Sequence, residues 1–235
     1  MNRTCLAVVA GGALLAAGCA PYEQQQEMSD TRSVELRGAE SARIQVDMGA
    51  GELWVEGGSA KLLDADFHYS VRSWKPEIKY DVSAGRGFLT VRQPPVHGFN
   101  TGRRENRWDL HLNDKLPIEL RVNVGAGKGT LKLSGTALRR LEIEIGAGEL
   151  QVDLTGGWDH DLEAEVRGGV GEATVRLPHD VGVRATATGG LGGVNVQGGL
   201  HKEGGYYVND AYGKSDVHLR LTVTGGIGQI NLIGS

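Results

Sequence analysis

The residues with chemistry to offer are few and scattered. Gly125-Ala126-Gly127-Lys128-Gly129-Thr130 has the composition of a phosphate loop. Val122 and Gly129, however, stand where that signature requires Gly and Ser/Thr, and the segment leads into a strand rather than a helix N-terminus. Gly190-Leu191-Gly192-Gly193 fails the dinucleotide pattern for the same reason. Asp159-His160-Asp161 offers metal-ligand atoms and Asp64 with Asp66 offers paired carboxylates, since alternate residues share a strand face. Neither has a second cluster at a spacing that would complete a site. The seven histidines form no His-x-His or His-x3-His pair. There is no Gly-x-Ser-x-Gly elbow. These patterns predict no catalytic residue, no cofactor and no metal. The best candidate contact surface is the long loop Gln93–Arg107, where Arg103, Arg104 and Arg107 suit phosphate or carboxylate groups of an envelope polymer, or a protein partner.

The elements that must position these groups are strands. Apolar residues alternate with polar ones at Ala42, Ile44, Val46 and Met48, again at Leu141, Ile143 and Ile145, and at Leu219, Leu221 and Val223. Period two with one wet face describes half-buried strands, and the spacing predicts sixteen to eighteen short ones with almost no helix. Between them an apolar–Gly–x–Gly step recurs, at Gly49/Gly51, Gly125/Gly127, Gly146/Gly148, Gly169/Gly171, Gly190/Gly192 and Gly226/Gly228. Gly85-Arg86-Gly87 is a looser copy. A fixed internal repeat signals stacked supersecondary units. Ile145 and Leu150 are separated by an odd step, as are Met48 and Leu53, so the chain turns at each glycine pair. The turn reads as a hairpin with the flanking apolar residues opposite each other, or as the β-arc of a solenoid. Both glycines are expected to supply positive φ. The apolar middle residues Ala50, Ala126, Ala147, Val170, Leu191 and Ile227 are expected to pack on the neighbouring unit.

The ends speak of location. Met1-Asn2-Arg3 and the apolar run Leu6–Ala17 form the head and core of a secretory signal, too short for a mature membrane span. Leu15-Ala16-Ala17-Gly18-Cys19 resembles the lipobox of bacterial lipoproteins. That resemblance implies cleavage of residues 1–18, lipidation of Cys19, and anchoring outside the cytoplasmic membrane. Ala20 after the cysteine resembles the outer-membrane default of Gram-negative lipoproteins. With Cys5 removed, the mature chain has one cysteine and no intramolecular disulfide. Residues 19–32 are polar and read as a flexible tether, with a single domain over 33–235. Twenty-five basic against 29 acidic residues give a net charge of −4 without long runs, which excludes a nucleic-acid stripe or a polybasic membrane patch.

Trp108-Asp109-Leu110-His111-Leu112-Asn113, Leu116-Pro117-Ile118-Glu119-Leu120, Val124-Gly125-Ala126-Gly127 and Leu141 to Val152 together resemble the toast-rack domain of bacterial envelope proteins, including relatives of LiaF-type antibiotic-response regulators. The resemblance covers roughly 33–235. It implies an all-β, rack-like or solenoid-like stack and no known catalytic residues. The resulting expectation is a non-enzymatic, lipid-anchored envelope protein acting as a structural, interaction or stress-response module. A carbohydrate-active or carbohydrate-binding β-solenoid is the alternative.

Overall fold

The computed structural model describes residues 27–95 and 104–235. Cys19, the signal segment and Arg103 lie outside the described residues. The described residues form thirteen strands of one open sheet, and their only helix is a 3₁₀ turn at Arg72–Trp74. In chain order the strands are β1 (Met28–Val34), β2 (Ser41–Ser59), β3 (Leu63–Tyr69), β4 (Glu77–Ser83), β5 (Arg86–Arg92), β6 (Asn106–Asn113), β7 (Ile118–Lys132), β8 (Leu138–Asp153), β9 (Leu162–Leu177), β10 (Gly182–Gln197), β11 (His201–Glu203), β12 (Tyr206–Val208) and β13 (His218–Gly234).

The strands are fewer and longer than expected because the Gly-x-Gly step does not end them. Each of β2, β7, β8, β9, β13 and β10 runs through its glycine pair and pairs in parallel with its neighbour on both sides of it. The hairpin reading is therefore wrong and the β-arc reading right. A hairpin would pair a strand with itself, whereas here each half pairs only with the equivalent half of another strand. Each rung thus has a first arm, a corner and a second arm. The burial phase switches at the corner, so that Ile143 and Ile145 before it and Leu150 and Val152 after it all face inward. Both arms feed one hydrophobic core, and burying each Val, Leu or Ile there contributes about 1.5–3 kcal/mol.

Among the six full rungs, stack order departs from chain order at one place. The sheet runs β2-β7-β8-β9-β13-β10, so the C-terminal strand lies between β9 and β10 and pairs with both in parallel. The rung above β2 is split between β5 on the first arm and β6 on the second, and Asn106 and Arg107, expected from sequence to lie in the long loop, are the first residues of β6. Strands β4, β3 and β1 extend this end, with β1 antiparallel to β3 over Met28–Val34. Met28–Arg32, read from sequence as tether, are therefore strand. Gly85 also changes role. Ala84 and Gly85, at φ of 48° and 73°, form the two-residue turn of the β4–β5 hairpin, not a corner.

Candidate functional site: the corners and outer faces of the rack

The two glycines of each corner are required for different reasons. Only the second has positive φ, between 133° and 144° at Gly51, Gly127, Gly148, Gly171, Gly192 and Gly228. The first (Gly49, Gly125, Gly146, Gly169, Gly190, Gly226) has no such φ, which corrects the expectation for it. From Gly125 onward it is glycine because a Cβ would point at the carbonyl of the rung before. At Gly146 that atom would lie 2.4 Å from the Gly125 oxygen. The corners align in register as Ala50, Ala126, Ala147, Val170, Ile227 and Leu191. These tips form a ladder but are not packed away. Leu191 is 73% exposed, and Val170 and Ile227 are 53% exposed each. The outward bend that lets successive backbones approach also points the tip side chain into solvent.

At the β2 end the corner ladder is closed by side chains. Gln93 Oε1 accepts from the Gly49 amide at 2.9 Å and from Asn106 Nδ2 at 3.0 Å, and Asn106 Nδ2 also donates to the Ala50 carbonyl. Asn106 Oδ1 accepts from the indole of Trp108, which is fully buried edge-on against Phe67. Sequence reasoning missed Gln93 and Asn106 because nothing local marks a polar side chain as the substitute for a missing rung.

The outer face of the first arm is charged. Arg43, Glu119, Arg140, Glu163, Arg220 and Arg184 form one row across six rungs. Arg43–Glu119 and Arg140–Glu163 pair at 2.7 Å, and Glu119 also takes Arg86. Burial pushes the Glu119 carboxyl up, but the two guanidiniums outweigh it and hold it below its ordinary value. Exposed pairs of this kind contribute about 0.2–1 kcal/mol each. The outer face of the second arm also carries charge, with Lys132, Asp153, Glu172 and Arg176, but between these Thr130, Gln151, Thr174, Asn231 and Asn195 make a row of uncharged hydrogen-bonding groups, one per rung, along a shallow depression of about 390 Å³. Asn195 donates to Asn231 at 3.3 Å, and Asn231 donates to Glu172 at 2.7 Å. Strand spacing repeats these groups about every 4.8 Å.

The structure does not converge the candidate catalytic or metal groups. Asp64 accepts from Ser33 and Ser59, which hold its carboxyl below the usual range, and Asp66 accepts from Thr31. Both carboxylates fasten strands rather than face a cleft. His160 is tied to Asp159 and to the Leu138 carbonyl, whereas Asp161 accepts from the His218 amide. Among the described residues no group of three His, Cys, Asp or Glu is placed to hold a metal. Of the arginines expected on the contact loop, Arg104 lies over the Trp74 ring at 5.5 Å, and Arg107, which stands in β6, bonds Asp109 at 3.1 Å. Both line one depression, shared with Glu27, Glu52, Glu105 and Lys128. Among the described residues no helix is long and apolar enough to cross a membrane.

No curated protein matches the chain by sequence. A crystal structure described as a "putative cell adhesion protein" from Clostridium sporogenes is 34% identical, with 89% of this chain and 100% of that chain covered and a TM-score of 0.86. A "putative adhesin" from Bacteroides fragilis is 11% identical over 89% of this chain and 98% of that chain, with a TM-score of 0.34. The model of the family described as the N-terminal domain of toast_rack, DUF2154, matches residues 22–176, from before β1 into β9. The all-β rack and this match establish the expected resemblance: the chain belongs to the toast-rack family, a structural or interaction module.

Proposed function

We propose that the chain is a non-enzymatic adhesion module of the bacterial cell envelope, anchored by a lipid on Cys19, whose second-arm face binds an extended, repetitive envelope polymer. The observation that carries this reading is the uncharged row Thr130, Gln151, Thr174, Asn231 and Asn195, held in register across five rungs. A row of amides and hydroxyls at fixed spacing suits a polymer that repeats its own hydroxyls, such as a glycan. The rigid stack fixes those groups before binding, so little side-chain entropy is lost on contact. The description of the 34%-identical Clostridium protein as a cell adhesion protein agrees with this reading. Carboxylates tied into strand-fastening hydrogen bonds favour binding over glycan hydrolysis.

The test is cosedimentation of the full chain with purified cell-wall sacculi. Wild type is expected in the pellet, and Gln151→Ala combined with Asn231→Ala in the supernatant with an unchanged melting temperature. Equal binding by the double variant would remove the face from the proposal. Fractionation tests the anchor separately. Cys19→Ala is expected to move the protein from the membrane to the soluble envelope fraction, and continued membrane retention would refute anchoring through this residue.

A further inference from the structure

The two ends of the rack are finished differently. At the β2 end the sheet closes on β4 and β1, and both edge strands carry charge, Glu77, Lys79 and Asp81 in one and Asp30 and Arg32 in the other. At the far end β11 edges the first arm with His201, Lys202 and Glu203. Charges on an edge discourage pairing with other strands. The remaining edge is the outer side of β10. This strand pairs with β13 from Gly182 to Gln197 on one side, but with β12 only at Arg184 and Ala185 on the other. Among the described residues, the outer side of Thr186–Gln197 has no strand upon it. The whole stretch Ala185–Leu200 contains no Asp, Glu, Lys, Arg or His.

Burial shows the same incompleteness. At the two inward-facing positions after the corner, the inner rungs hold Leu150 and Val152, or Ile230 and Leu232, all at 3% exposure or less. The equivalent residues of β10, Val194 and Val196, are only half-buried. Leu191 at the adjoining corner is the most exposed large apolar side chain of the described residues. Among the described residues no side chain does here what Gln93 and Asn106 do at the opposite end. Terminal units of stacked repeats normally carry a polar cap.

We propose that this edge is a self-association surface, on which a second copy of the chain pairs its own β10 antiparallel through Leu191–Gln197 about a twofold axis. Charge decides the occupant. Head-to-tail stacking would set β10 against β1 or β4, whose ion-paired charges (Asp30 with Arg32, Glu77 with Arg92) would lose water against an uncharged edge. Among the described residues, the one charge-free edge that a second copy can offer is the same edge, and a twofold interface is the arrangement that pairs a patch with itself. Antiparallel pairing satisfies the free amides and carbonyls of both edges. It also brings Val194 and Val196 of each copy under the cover of the other.

The experiment uses the full chain in mild detergent, with mass measured by light scattering over a concentration series and backbone hydrogen exchange followed in parallel. Wild type is expected to reach twice the protein mass of one chain, with exchange at Leu191–Gln197 slowing as the dimer forms. Asn195→Lys, which sets the two introduced charges on neighbouring positions across the axis, and Leu191→Lys, which charges the outer end of each edge, are expected to halve the mass and restore fast exchange, with a melting temperature equal to that of wild type diluted to its monomer. A chain that stays monomeric at every concentration overturns the proposal, as it would if a strand of another protein were the true occupant. A dimer that survives both substitutions places the contact elsewhere and overturns it too.

Discussion

Replacing Gly148 by Ala separates the two demands that a corner makes. The φ of 134° strains any residue with a Cβ, by about 1–3 kcal/mol. The added Cβ would also lie 1.8 Å from the Gly127 carbonyl oxygen, whereas real Cβ atoms keep 3.0 Å or more from a neighbour, so the rungs must part by at least 1.2 Å (3.0 less 1.8). Overpacking of that kind costs about 1–3 kcal/mol more. The sum is about 4 kcal/mol, which for a domain of this size lowers the melting temperature by about 8–16 °C. Two controls divide the sum. Gly135 has φ of 75° with nothing within 4 Å of an added Cβ, so Gly135→Ala carries conformational strain alone, about 1 kcal/mol. Gly146 has no positive φ but meets the Gly125 oxygen at 2.4 Å, so Gly146→Ala carries close approach alone, about 1–3 kcal/mol. Urea unfolding followed by tryptophan fluorescence and far-UV circular dichroism gives the three values where both probes coincide. The expected order is Gly148, then Gly146, then Gly135. A Gly148→Ala cost no greater than that of Gly135→Ala would refute the idea that glycine is selected by the approach of successive rungs.

Gln93→Ala removes the acceptor for the Gly49 amide and for Asn106, and is expected to destabilise by about 1–3 kcal/mol in the same urea assay, with faster hydrogen exchange at Gly49 and Ala50. Stopping the chain after Gly225 deletes the second arm of β13, bares one side of β9 and leaves the second arm of β10 without a strand partner, so the truncated protein is expected to bind a hydrophobic dye and melt well below wild type; an unchanged melting curve would contradict the inserted position of β13. The Asp64 carboxyl is held below its ordinary value by Ser33 and Ser59, so its contribution is present above the unfolded carboxylate range and disappears as pH falls through the lower folded value. The stability difference between wild type and Asp64→Asn is therefore expected to shrink on acidification and to vanish at low pH; a difference that grows would reverse the sign of this linkage.

Much of this molecule was legible from local pattern. Alternation at Ala42–Met48 and Leu141–Ile145 gave the strands and their buried faces, because side chains of a strand point to opposite sides whatever lies next to it. The odd step from Ile145 to Leu150 located the corner, and the repeat gave the rack. What the pattern left open was which strand meets which. Hairpin and arc place the same residues inward, and only non-local pairing chose the arc. The position of β13 between β9 and β10 was equally hidden: Gly168-Gly169-Val170-Gly171, Gly225-Gly226-Ile227-Gly228 and Gly189-Gly190-Leu191-Gly192 are near-copies, so several stacking orders share one local sequence code. Gln93 reaches the Gly49 amide, Asn106 the Ala50 carbonyl and Arg104 the Trp74 ring, all contacts across 30 residues or more, whereas the Arg107–Asp109 pair is local to one strand. The rung, its faces and its corner follow from residue pattern over a dozen or so positions. The tertiary structure alone decided the order of rungs, and with it which end is capped, which edge is bare and which polar groups form a continuous row, because parallel pairing joins residues by position in the stack and not by distance along the chain.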